Sequence, residues 1–261
     1  MSWWGKMVGG AFGFMLGGPL GALLGAALGH NFDKGIDSFA IPGVGDQERV
    51  QTAFFTATFS IMGHIAKADG RVTPDEIALA HHIFNQMQLT PDQRKAAMAL
   101  FNEGKNPDFP LDDVLEQFRT ECHRRSTLIK MFVEIQLNAA FADGSMHPNE
   151  RKVINKIAKA LGISKFVMQQ LEALVQAQTR HQAGGTPVRS SNSLKEAYEI
   201  LGVTPEDDKT KITRAYRKLM NQHHPDKLVS KGLPEEMMKL AGEKTHEIRT
   251  AYETIKKARG F

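Results

Sequence analysis

Hydrophobic and polar positions divide the chain into blocks of different pattern. Residues 7–29, MVGGAFGFMLGGPLGALLGAALG, form an apolar run without a single charge. As a helix rising about 1.5 Å per residue, this run reaches roughly 34 Å, enough to cross a bilayer core. A connector with glycine and proline follows over residues 30–45. From Asp46 the pattern turns helical: Phe54, Phe55, Phe59, Ile61, Met62 and Ile65 recur at helical spacing, and further apolar helices are expected over 77–87 and 153–161. Residues 46–178 therefore read as one helical domain. The stretch 183–193, AGGTPVRSSNS, is small and polar, and it predicts a flexible linker over 179–192 that ends at Ser193 as a helix cap with Glu196 three residues on. Three more helices are expected in 193–261, over 194–201, 208–223 and 235–257. The fold class is all-α.

The first block carries an ordered set of glycines. Gly9, Gly13, Gly17, Gly21, Gly25 and Gly29 fall every fourth residue. In water each glycine costs a helix about 1 kcal/mol relative to alanine. In lipid the backbone hydrogen bonds are enforced and small residues let two helices approach. The five overlapping GxxxG units predict a transmembrane helix that self-associates along this face, with Pro19 freeing the carbonyl of Met15. Trp3 and Trp4 sit where interfacial anchors belong. A cleaved signal peptide is the rival, with Lys6 as its basic start and Gly25/Ala27 as a cleavage site. The apolar run is longer than the usual 7–15 residue core of such a peptide, which favours a retained anchor. Charge does not fix the orientation, since Lys6 flanks one side and Lys34 and Arg49 the other.

The second block contains a repeat. Ala68-Asp69-Gly70-Arg71-Val72-Thr73-Pro74-Asp75-Glu76 recurs 74 residues later as Ala142-Asp143-Gly144-Ser145-Met146-His147-Pro148-Asn149-Glu150. Each copy sits between two apolar helices. Asp-Gly ends one helix, and Thr73, Pro74 and Glu76 start the next as cap, first turn and capping box. His147 is the poorer cap in the second copy. Asp69, Glu76, Asp143 and Glu150 are the candidate metal ligands. The D-x-D-x-D-G calcium loop is absent, so an EF-hand is not expected and the structural reading is preferred. This duplication in a helical domain resembles the TerB-like family, and the resemblance implies that the acidic residues could hold a cation. His81 and His82 point about 100° apart on a helix and make a poor shared site. Cys122 beside His123 lacks an orienting third group, so Cys122 is read as structural.

The last block concentrates cations. Lys209, Lys211, Arg214, Arg217 and Lys218 lie on one expected helix without an anion between them, while Ile212, Ala215, Tyr216 and Leu219 take its apolar side. Such a stripe steers and orients an acidic partner. Pro225 turns the chain beyond the helix, between His224 and Asp226. Leu194 to Val203 reads L-x-x-A-Y-x-I-L-G-V, Ile212 to Leu219 reads I-x-x-A-Y-R-K-L, and an A-Y-E-x-I segment closes the unit around Tyr252. Together with His224-Pro225-Asp226 this resembles the J-domain of Hsp70 co-chaperones. The resemblance implies that His224, Pro225, Asp226, Arg214, Arg217 and Lys218, with Lys211 and Lys227 beside them, contact an ATP-bound Hsp70 and stimulate its ATP hydrolysis. The catalytic centre would then belong to the partner. The loop over 228–240 is longer than in the commonest J-domains, which leaves partner contacts there open. A Gly/Phe-rich segment after this unit is not expected.

Composition narrows the classes. The chain is 41% hydrophobic and 24% charged, which excludes disorder throughout. A single cysteine excludes an intramolecular disulfide framework and any zinc site of several thiolates. The net charge of +4 is too small to mark a dedicated nucleic-acid binder. The order of anchor, TerB-like domain, linker and J-domain is similar to the bacterial membrane-anchored DnaJ-like co-chaperones. That resemblance implies a single-pass inner-membrane protein with residues 1–6 periplasmic and the bulk cytoplasmic. It also implies a DnaK-type Hsp70 partner, a homodimer through the anchor, no cofactor, and a link to envelope signalling or capsule synthesis. The expected mechanism is tethering, with the linker letting the J-domain search for Hsp70 near the membrane. A membrane-associated stress or metal-response scaffold is the alternative.

Overall fold

The computed structural model describes residues 18–23, 25, 46–68, 87, 89–141, 145–182 and 190–261. Every regular element among them is helical. Residues 18–23 and 25 are helical, with Leu20 buried and its N–H donating to Gln117 Oε1 at 2.8 Å. Most of the glycine-rich run lies outside the described residues. Among the described residues no helix is long and apolar enough to cross a membrane.

The helical domain is built around α1 (Asp46–Ala66). Val50, Phe54, Phe55, Phe59, Ile61, Met62 and Ile65 are all buried and occupy every side of it, so this helix is the centre of a core rather than a surface element. Against it pack α2 (Pro91–Gly104), α3 (Leu111–Glu121), α4 (Ser126–Ala140) and α5 (Pro148–Ala160), and α6 (Lys165–Gln182) packs on α4. The α1–α2 crossing is close enough to bring backbones together. A Cβ on Gly63 would stand 1.9 Å from the carbonyl oxygen of Phe101, and one on Gly104 would stand 1.8 Å from that of Ser60. Phe54, Phe118 and Phe132 join α1, α3 and α4, with the last two ring centroids 4.5 Å apart.

Capping sets the helix starts. Thr90 and Gln93 form a reciprocal box before α2, with Pro91 in its first turn. The same grammar opens α5: Glu150 accepts the His147 N–H at 2.8 Å, and His147 Nδ1 accepts the Asn149 N–H at 3.3 Å. His147 thus serves as a cap despite its bulk. The first copy of the repeat from Asp69 onward, and Ala142 to Gly144 of the second, lie outside the described residues.

The C-terminal module comprises α7 (Ser190–Leu201), α8 (Lys209–His223), α9 (Pro225–Val229), a 3-10 turn (Glu235–Met237) and α10 (Met238–Arg259). The first of these begins one turn before the expected cap, so Ser193 lies inside the helix. Asp208 caps α8 by accepting the Lys211 N–H at 2.7 Å. Gly202, at φ +63°, turns the chain out of α7. Tyr216 stacks on Tyr252 at 4.1 Å, and Lys209 lies over the ring of Phe261, so α8 and α10 run antiparallel. Ala197, Tyr198, Leu201, Ile212, Ile248, Ala251 and Ile255 form the module's own core.

This module is not held by a linker alone. Leu228, Leu233, Met237 and Ala241 are buried in the core of the helical domain rather than in that of the module. The expectation of a freely searching module therefore meets a packed one.

Candidate functional site

The site begins where α8 ends. Proline disfavours helical geometry in the residue before it, and His224 accordingly adopts φ −61°, ψ 123° between α8 and α9. Pro225 then occupies the first turn of α9, where its missing N–H costs nothing. The turn displays the two polar residues at its tip. The side chains of His224 and Asp226 are 49% and 84% exposed, and His224 Nδ1 lies 3.9 Å from Asp226 Oδ2. That separation is too long for a hydrogen bond, so both groups remain available to a partner.

The cations follow one face of α8. Residues 211, 214 and 218 are spaced three and four apart and 217 is adjacent to them, so their side chains share one side of the helix. Lys211, Arg214, Arg217 and Lys218 are all exposed. Lys211 is engaged by Asp207 at 2.5 Å. Hydrogen bonds from Lys211 and from the Thr204 N–H hold the Asp207 carboxyl below the usual carboxylate range. Arg214, Arg217 and Lys218 form no ion pair among the described residues. Lys227 reaches back to Asn221 Oδ1 and is exposed. His224, Pro225, Asp226, Arg214, Arg217, Lys218, Lys211 and Lys227 are thus brought to one end and one face of the module.

Of the four metal candidates the structure describes only Glu150. Asp69, Glu76 and Asp143 lie outside the described residues, and Glu150 is used in the cap of α5. Among the described residues no group of His, Cys, Asp and Glu could hold an ion. Cys122 is fully buried, and burial pushes its thiol up to about 12. It is a packing residue with no thiolate at neutral pH.

Three residues behind the site were not singled out by the sequence. His223, the last residue of α8, faces Glu134 of α4 and Lys244 of α10. Burial lowers the His223 pKa, Glu134 opposes that shift, and Lys244 and Lys130 reinforce it. Lys244 Nζ lies 2.5 Å from Glu134 Oε1, with both side chains under 10% exposed, and 3.6 Å from Glu247. Burial alone would raise the Glu134 carboxyl, but Lys244 and His223 reverse the balance and it lies below its ordinary value. The only sequence signal was a glutamate amid the apolar residues of α4.

A basic helix face running into an exposed His-Pro-Asp turn, on a hairpin locked by stacked tyrosines, defines the chain as a J-domain co-chaperone. Residues 196–259 match the family model "DnaJ domain", and residues 55–173 match "Tellurite resistance protein TerB". Residues 1–45 match "Co-chaperone DjlA transmembrane domain". The chain is 46% identical to "Co-chaperone protein DjlA" of Vibrio parahaemolyticus with both chains covered in full, and 45% identical to that of Salmonella typhimurium, also in full. The Photobacterium profundum protein of the same name is 44% identical over 99% of each chain. The chain belongs to the DjlA co-chaperone family. No solved structure matches it.

Proposed function

We infer that the chain recruits a DnaK-type Hsp70 through its J-domain and stimulates that partner's ATP hydrolysis at the inner membrane. It is not itself an enzyme; the hydrolysing site is the partner's. The observation that carries this reading is the exposure of His224 and Asp226 at the end of an exposed basic face. Its chemistry follows from the exposed cations. Arg214, Arg217 and Lys218 attract and orient an acidic surface, Lys211 and Lys227 flank them, and the rigid Pro225 turn presents His224 and Asp226 to whatever that surface carries.

The finer assignments extend the reading. Residues 7–29 span the membrane once, with 1–6 periplasmic and the remainder cytoplasmic, where Hsp70 and ATP meet. Gly9, Gly13, Gly17, Gly21, Gly25 and Gly29 form the face through which two anchors pair. Insertion requires the Leu20–Gln117 contact to be released. Residues 30–45 connect the anchor to the TerB-like domain of 46–178, and 179–192 lead to the J-domain of 193–261. The uninterrupted glycine spacing and the uncharged run support these assignments. Confinement near the membrane raises the local concentration of J-domain without any new contact.

A single-turnover ATPase assay with purified Hsp70 tests the function. The full chain in detergent accelerates hydrolysis, and His224→Gln does not. Equal acceleration by both proteins removes His224 from the mechanism and sinks the assignment.

A further inference from the structure

We propose that the TerB-like domain positions the His-Pro-Asp turn, acting from behind through a clamp whose key residues are Arg125, Glu134 and Lys244. The inference rests on the co-chaperone reading and adds a role for residues outside the J-domain.

The segment that follows the turn packs on α8 and α10 of its own module, but its buried side chains go to the neighbouring domain. Leu228 is three residues beyond Pro225 and fully buried, yet it belongs to the core of the TerB-like domain. Leu233, Met237 and Ala241 continue into the same core. The J-domain's own core takes no residue between Met220 and Ile248. The short helix carrying Pro225 and Asp226 is therefore seated on the neighbouring domain.

Polar contacts fix the same segment along its length. Arg125 Nη1 donates to the Lys231 carbonyl at 2.9 Å, and Gln47 Nε2 donates to the Val229 carbonyl at 3.3 Å. Gly232 has φ +99°, and a Cβ there would stand 2.6 Å from Val50 Cγ1 and 2.9 Å from Arg125 Nη1. The chain thus approaches α1 as closely as a glycine permits. Across the other side of the seat, the buried Lys244–Glu134 pair ties α10 to α4 beside His223.

The clamp leaves the functional face open. Arg214, Arg217, Lys218, His224 and Asp226 are all exposed with the module docked. Docking therefore does not cover the surface that meets Hsp70. It holds the turn at both ends: His223 precedes it, buried within the field of the Lys244–Glu134 pair, and Leu228 follows it. Arg125, Glu134 and Lys244 are positioning residues, acting through His224 and Asp226. The basic face of α8 carries initial attraction, so loosening the clamp should spare affinity and reduce maximal stimulation.

The test uses the full chain in detergent with purified Hsp70, titrated to separate the half-saturating concentration from the maximal ATPase stimulation. Arg125→Gln and Glu134→Gln are compared with wild type, and amide exchange at Leu228 and Leu233 reports docking. The expected result is faster exchange and a maximal stimulation lowered about tenfold, with the half-saturating concentration within about twofold of wild type, as misplacement of a group that acts on the partner's reacting centre predicts. If Glu134→Gln does not fold, Arg125→Gln, at a partly exposed residue, decides alone. Wild-type stimulation by variants whose exchange has accelerated overturns the inference, as does a higher maximum, which would make docking an obstruction. Unchanged exchange overturns it too. A wild-type chain that fails to stimulate at all overturns the co-chaperone reading and the inference with it.

Discussion

Methionine in place of Lys244 removes an ammonium and keeps most of the stem, which makes it a clean perturbation of the buried pair. His223 is close enough to take over as a cation, so the decisive comparison is made in a His223→Gln background. Glu134 is then a carboxylate with its main counter-charges gone and its desolvation unopposed. It can take a proton or the domains can part. Taking a proton at pH 7, from an ordinary value of 4.5, means crossing about 2.5 pH units at about 1.36 kcal/mol each, or about 3.4 kcal/mol. This agrees with the 3–5 kcal/mol typical of a buried pair broken from one side. The loss shrinks to about 0.7 kcal/mol at pH 5 by the same arithmetic, and undocking limits it wherever docking is worth less. In wild type the sign is the same for both titrating groups. Each has a folded pKa below its unfolded value, so stability is complete above about 6.5, declines first as His223 charges, and declines again below 4.5 as Glu134 protonates. Leu228 and Leu233 donate their N–H groups to the carbonyls of His224 and Leu228, so native-state hydrogen exchange at these amides reads the opening free energy of the segment. It is measured for variant and background at each pH. A loss below about 0.5 kcal/mol at pH 7, with no pH dependence, would show a pair that behaves as if exposed, and would refute the reasoning.

Two further outcomes test the TerB-like domain itself. Gly104→Ala drives a methyl into the carbonyl of Ser60 at the α1–α2 crossing, and is expected to destabilise the domain by about 3 kcal/mol, read as a lowered urea midpoint with an unchanged slope. Cys122, fully buried with its thiol pushed up to about 12, is expected to resist an alkylating reagent at pH 8 until the chain is denatured; stoichiometric labelling of the native chain would contradict its burial.

The parts of the site written in local grammar were legible in the sequence. Pro225 announces the end of α8, Asp208 and Gly202 mark helix ends, and the recurrence of Ala-Tyr at 215–216 and 251–252 anticipates the stacked pair. Spacing also placed the cations on one face, because a helix repeats every 3.6 residues. What could not be read was the destination of residues 228–241. Leu228, Leu233, Met237 and Ala241 are separated by five, four and four residues across a short helix, a loop and a 3-10 turn, so no period marks a face. Their burial depends on α1 and α4, which end at Ala66 and Ala140, far away in the chain. Glu134 was hidden for the same reason: an isolated acid in an apolar helix declares its partner only when α10 arrives. The unusual length of the 228–240 loop is the one available sign, and by itself it marks a departure from the family pattern without indicating a docking segment.

Docking changes what the connection between the domains does. α6 ends at Gln182 and α7 begins at Ser190, so only seven residues, 183–189, separate helices of the two domains. A tether this short makes docking an intramolecular event at an effective concentration of roughly millimolar order. The seat can therefore form without a large intrinsic affinity between the domains. The coupling is also reciprocal: if a docked segment holds the turn in the form Hsp70 engages, then Hsp70 engagement must favour docking by the same factor. A ligand that prefers the undocked TerB-like surface would draw free energy from that equilibrium and weaken the response to Hsp70. The TerB-like domain is then thermodynamically coupled to the partner's ATPase through a salt bridge and four apolar side chains.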